Sequence, residues 1–69
     1  MNNSFGEILK NIRTEKGIGQ VELAKSLNVS KGIISLWENN FREPKLSNLI
    51  ALAKYFNVSI DYLAGLSEY

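Results

Sequence analysis

Apolar residues recur along this chain at helical rather than strand spacing. Phe5, Ile8, Leu9 and Ile12 follow the i, i+3, i+4, i+7 order of one helix face. Ser4 stands ahead of them as an N-cap, with Glu7 three residues on to complete a capping box. Lys16-Gly17 offers a basic last turn and a C-cap glycine, so the pattern predicts a first helix over 4–16. A short second helix over 20–27 turns Leu23, Ala24 and Leu27 inward and ends at Asn28, a residue that tolerates left-handed backbone. Ser30 is placed to cap a third helix over 30–38, closed by Asn39-Asn40. The loop FREPK, with the only proline, leads into a fourth helix over 46–56 with Leu49, Ile50, Ala53 and Phe56 inward. Asn57 ends it, Val58 plugs the core and Ser59 caps a last short helix over 60–66. No alternating window is bounded by a hairpin turn. Five short helices with connections of about two to eight residues predict a compact all-α fold.

The third helix is the unusual one. At about 100° per residue, Ile34 and Trp37 lie about 60° apart and share one buried face. Gly32, Ser35 and Leu36 fall on the other side. A glycine, a serine and a leucine turned outward on a short helix are either ordinary surface or a face shaped to touch something.

Length and composition narrow the choice. Sixty-nine residues predict a single domain, 1–69, with no room for a second. A chain of this size buries only about 60% of its unfolded surface, so stability depends on efficient packing or on assembly. Without cysteine there is no disulfide, thiolate metal site or cysteine nucleophile, and without histidine the commonest general base and metal ligand is missing. Catalysis would rest on Glu, Lys, Ser or Tyr, and no pair of these has a spacing better explained by a cleft than by helix surfaces. No enzyme, metal or cofactor is expected. No apolar run approaches the ~18 residues of a membrane span, and MNNSFGEILKN has neither the basic start nor the apolar run of a signal peptide. A soluble cytoplasmic protein is the expectation.

The net charge of +1 hides a mild asymmetry. Residues 1–58 carry all eight Lys and Arg against five acids, giving +3, whereas 59–69 carry Asp61 and Glu68 and no base, giving −2. The split allows a basic face on the body, although three surplus charges are also ordinary surface.

A helix of about eight residues, a three-to-four-residue turn and a second short helix make the helix-turn-helix unit, whose second helix can lie in a DNA major groove. Residues 20–44, QVELAKSLNVSKGIISLWENNFREP, resemble the lambda-repressor/Cro type of helix-turn-helix, the XRE family. The family pattern runs Q-x-x-L-A-x-x-x-G-V-S-x-x-x-I-S-x-W-E-x-G-x-x-x-P. The resemblance continues through LIALAKYFNVSIDYL at 49–63 and reaches back to Ile12-Arg13 and Lys16-Gly17. It implies a compact five-helix lambda-repressor-like DNA-binding domain with the helix-turn-helix formed by helices two and three. Gly19 stands where the family has a Ser or Thr cap, Asn28 and Asn40 replace glycines, and Lys45 is a poor N-cap for the fourth helix.

The resemblance assigns base reading to Lys31, Gly32, Ser35 and Leu36, the face that helical geometry leaves outside. Lys31 can donate to guanine O6 or N7 or to a phosphate, Ser35 can bond several bases, and Leu36 can meet a thymine methyl. Gly32 has no side chain and only permits close approach of the backbone. No Arg, Gln or Asn in the middle of this face makes a bidentate base contact, which shifts weight to phosphate contacts and DNA shape. Gln20, Ser30, Asn39, Asn40 and Arg42 are placed to reach the DNA backbone, Gln20 with help from the N-terminus of its helix. Gln20 as a plain exposed polar residue and Arg42 as a solvated loop charge remain the alternatives. A salt bridge between Arg13 and Glu38 is implied. So is a two-fold dimer contact at Ile60 and Tyr62, although Tyr62 can equally cover the core edge of a monomer.

The expected function is therefore sequence-preferring binding of double-stranded DNA by a transcriptional regulator, a dimeric repressor acting by occupancy of a pseudo-palindromic operator. Recognition helices would lie roughly one DNA turn, ~34 Å, apart. Expected partners are DNA, a second copy, and a protein antirepressor or RNA polymerase. The competing reading is a protein-interaction adaptor or antitoxin-like module that keeps the fold, motivated by apolar Ile33 and Leu36 and the missing bidentate side chain.

Overall fold

Three helices of the chain start on a serine cap and all five end at a left-handed glycine or asparagine, and these signals set the architecture. A computed structural model describes residues 4–68; residues 1–3, where the expected domain and the stretch read for a targeting signal begin, and residue 69 lie outside them. In chain order the elements are α1 (Phe5–Glu15), α2 (Gln20–Leu27), α3 (Lys31–Glu38), α4 (Leu46–Phe56) and α5 (Ile60–Leu63), with no strand among the described residues. No helix is long and apolar enough to cross a membrane.

Ser4, Ser30 and Ser59 each accept a hydrogen bond from a backbone N–H three residues on, at Glu7, Ile33 and Tyr62. This satisfies one of the amides that a helix start leaves unpaired. Ser4 also donates to Glu7 Oε1 at 3.1 Å, so the expected capping box closes side chain to side chain. Gly19 and Lys45 cap α2 and α4 without a side-chain bond.

The helix ends repeat one device. Gly17, Asn28, Asn40, Asn57 and Gly65 have φ between +57° and +80°. The N–H of the following residue, Ile18, Val29, Phe41, Val58 or Leu66, donates to the carbonyl five positions back at 2.8–3.1 Å. Left-handed backbone at such a point satisfies carbonyls the helix has orphaned, and glycine and asparagine carry it at low cost. Ile18, Val29 and Val58 pack against the core, whereas Phe41 and Leu66 are about four-fifths exposed.

The core gathers Ile8, Leu9 and Ile12 of α1, Leu23 and Ala24 of α2, Ile34 and Trp37 of α3, Leu52, Ala53 and Phe56 of α4, and Leu63 of α5. Two expectations need correction. Ile50 was expected inward but is 37% exposed, and Leu52, which is wholly buried, takes its place. Ile50 and Leu52 flank the Leu49, Ala53 and Phe56 stripe on opposite sides, and the docking of α4 against α2 and α5 selects the Leu52 side. The last helix stops at Leu63 rather than continuing to residue 66, because the left-handed Gly65 and the bond from the Leu66 N–H to Asp61 O close it early.

Candidate nucleic-acid interface

The α2–α3 pair is held at a fixed angle by small side chains and local bonds. Ala24 is 3% exposed, and its carbonyl accepts from the Val29 N–H at 2.9 Å across the turn. A larger residue at 24 would push the two helices apart. Asn28, at φ 58° and ψ 43°, makes the bend, and Ser30 then caps α3. Ile34, Trp37 and Glu38 are the residues of α3 that face inward.

An ion pair fastens the other end of α3. Arg13 Nε donates to Glu38 Oε2 at 2.5 Å and Nη2 to Oε1 at 3.1 Å, a two-pronged contact. The third nitrogen, Nη1, donates to the Ile18 carbonyl at 2.8 Å, and Gln20 Nε2 adds a bond to Glu38 Oε1 at 3.0 Å. The two side chains are 11% and 3% exposed. One buried carboxylate thus joins the end of α1, the start of α2 and the end of α3. The implied Arg13–Glu38 salt bridge is present.

A second bracket was not anticipated. Gly6, on the first turn of α1, lies against the last turn of α3. A β-carbon there would meet the carbonyl oxygens of Glu38 and Trp37 at 2.5 and 2.6 Å and Asn40 Oδ1 at 2.8 Å. The Gly6 N–H donates to Asn40 Oδ1 at 3.0 Å, and Asn40 Nδ2 donates to Ser4 Oγ at 2.9 Å. A glycine inside a helical pattern is itself a sequence signal for close approach, and Gly6 carries it.

The residues expected at the interface fall into two groups. Lys31 and Gly32 are exposed and Ser35 and Leu36 half-buried; Gly32, Ser35 and Leu36 fall on the side of α3 away from Ile34 and Trp37, and Lys31 stands on its exposed first turn. Ile33 is half-buried and packs on the core edge. Of the residues expected to reach the DNA backbone, Arg42 is exposed in the loop after α3 and neither it nor Lys31 is in an ion pair among the described residues. Asn39 is exposed, and its Nδ2 donates back to Ser35 O at 2.9 Å. Ser30 is occupied as a cap. Asn40 departs furthest from expectation: both ends of its amide hold bonds within the domain. Gln20 is half-buried with its amide turned onto Glu38, so it is not a plain exposed polar residue. At the far end, Ile60 is 36% exposed and Tyr62 packs against the core edge.

Comparison with known proteins adds to this geometry. The helix-turn-helix family pattern matches residues 9–63. The chain is 38% identical over 65 residues to the HTH-type transcriptional regulator ImmR of Bacillus subtilis, covering 94% of this chain and 51% of that protein. It is 41% identical over 59 residues to Repressor protein C2 of Salmonella phage P22, covering 86% of this chain and 27% of the repressor. The chain thus spans about half the length of the first relative and about a quarter of the second. Among solved structures, the P22 c2 repressor in complex with a synthetic operator superposes with a TM-score of 0.88 at 37% identity, over 94% of this chain and 98% of that one. Family pattern, relatives and fold agree: the chain belongs to the XRE-type helix-turn-helix family.

Proposed function

We propose that this chain is a transcriptional regulator that binds double-stranded DNA with sequence preference, as a repressor that occupies its operator. The observation that carries the reading is the outer face of α3: the helix is fixed from behind by Ile34, Trp37 and Glu38 while Lys31, Gly32, Ser35 and Leu36 are left accessible. The similarity to a repressor bound to operator DNA supports it.

In this reading α3 enters the major groove, Lys31, Ser35 and Leu36 meet base edges, and Arg42 and Asn39 approach phosphates. Gln20 keeps a second amide hydrogen for a phosphate. Asn40 acts as a positioning residue, because its side chain holds α1 to the end of α3. The domain measures 29 × 24 × 23 Å, less than the ~34 Å of one DNA turn, so one copy serves one half-site and a homodimer meeting near Ile60 and Tyr62 serves two. Such a dimer works in the cytoplasm, where it excludes RNA polymerase from an overlapping promoter and yields to a protein antirepressor.

The test is selection from random duplexes at two salt concentrations, followed by affinity measurement on the selected sequence. A two-fold symmetric motif whose binding falls steeply with salt is the expected result. Absence of enrichment together with salt-independent behaviour would overturn the reading and favour a protein-binding module.

A further inference from the structure

Of the five left-handed helix ends, three are plugged and two are not. Ile18, Val29 and Val58 fold back onto the core, whereas Phe41, after α3, and Leu66, after α5, are 80% and 79% exposed. An apolar contact from this position back onto the helix often accompanies such an ending, and its absence leaves space. Both unplugged ends border one cleft of about 520 Å³, with Asn40 and Arg42 from the end of α3 and Ala64 from the end of α5. That size falls within the roughly 300–1,000 Å³ of small-molecule sites. Phe5, Pro44 and Leu49, each half-buried, give the cleft apolar walls. Arg42 and Glu43 stand exposed along it, consecutive and of opposite charge, and neither is in an ion pair among the described residues.

We propose that this cleft binds a free amino acid with a large apolar side chain, and that the bound molecule weakens the hold on DNA; the second half rests on the DNA-binding reading above. Charge complementarity selects the ligand. A guanidinium beside a carboxylate matches an α-carboxylate beside an α-ammonium, with Arg42 taking the first and Glu43 the second. The ligand side chain then lies on Phe5, Pro44 and Leu49, where burial of apolar area supplies most of the affinity. Ser4 and Asn40, which also line the cleft, are bonded to each other at 2.9 Å, so the two charged residues are the ones that meet the ligand's charges. Arg42 is also the residue expected at a phosphate. A guanidinium that holds a carboxylate no longer neutralises the DNA backbone, so ligand and phosphate compete for it.

The first experiment needs no DNA. L-phenylalanine and L-leucine are titrated into the protein while the backbone amides of Asn40, Arg42, Glu43 and Ala64 are followed by NMR. Saturable shifts confined to the cleft are expected. N-acetyl-L-phenylalanine, which lacks the ammonium, and L-phenylalaninamide, which lacks the carboxylate, should each bind about two- to fivefold more weakly, the value of one exposed ion pair. Glu43→Gln should lose the preference for the free ammonium. Ala64→Trp, whose side chain fills the cleft, should lose binding altogether. Both positions are exposed, so melting temperatures should stay close to that of wild type. On the selected duplex, saturating phenylalanine should lower affinity and reduce the salt slope by about one per copy, and should do neither in Arg42→Ala or Ala64→Trp. The inference is overturned if no probe shifts these amides, if the blocked forms bind as well as the free amino acid, or if bound phenylalanine leaves DNA affinity unchanged. Shifts that follow protein concentration instead of ligand would put a second copy in the cleft and overturn it too. Binding of the amino acid by a protein that enriches no duplex at low salt would uphold the site and refute the DNA-binding reading.

Discussion

Gly6 lies so close to the backbone of Glu38 that only glycine fits at position 6: a β-carbon there would lie 2.5 Å from the Glu38 carbonyl oxygen. The first turn of α1 therefore fixes how deeply the end of α3 is seated. Gly6→Ala should destabilise the protein by about 1–3 kcal/mol through overpacking, despite alanine's better helix propensity. Urea unfolding of the two proteins checks this, and an unchanged midpoint would mean that α1 and α3 separate freely.

Arg13→Met should cost about 3–5 kcal/mol, because it strands a Glu38 carboxylate that is 3% exposed. The double variant Arg13→Met, Glu38→Leu should lose less than the single one, since it removes the buried charge along with its partner. A double-mutant cycle in urea measures the coupling.

Asn40 combines a left-handed backbone with two side-chain bonds. Asn40→Gly keeps the first and loses the second, for a cost of about 1–3 kcal/mol. Asn40→Ala should lose about 1–2 kcal/mol more, the penalty of a β-carbon at that φ. Neither variant should change the salt slope of DNA binding, which separates a positioning role from a phosphate contact.

Arg42→Ala removes an exposed charge that makes no ion pair among the described residues. Thermal stability should hold within about 0.5 kcal/mol. If Arg42 meets a phosphate, affinity should fall evenly across sequences and the salt slope should drop by about one per copy.

Ile60→Glu places a charge on a residue that is 36% exposed at the expected dimer contact. Folding should survive, while sedimentation and cooperative binding to a two-half-site duplex should both shift toward the monomer. Binding to a single half-site should be unaffected.

Much of this arrangement is legible in the sequence because the signals are local. Ser30, Asn28 and Asn57 act within one turn of themselves, and each does in the structure what its position implied. Ile50 and Leu52 show where such reading ends. Both satisfy the period of α4, and the side that faces inward is set by helices elsewhere in the chain. The bond between Gly6 and Asn40 spans 34 residues, and no local pattern announces it. Gln20 illustrates a third case: its type and place suited an outward role, but a buried carboxylate 18 residues on draws its amide inward.

The residues that anchor α3 and the residues it displays do not overlap. Ile34, Trp37 and Glu38 hold the helix in the domain, while Gly32, Ser35 and Leu36 share its outer side and Lys31 stands exposed on its first turn. New side chains can be written onto those four positions without rewriting the interior, so a different contact surface can be grafted onto an unchanged body.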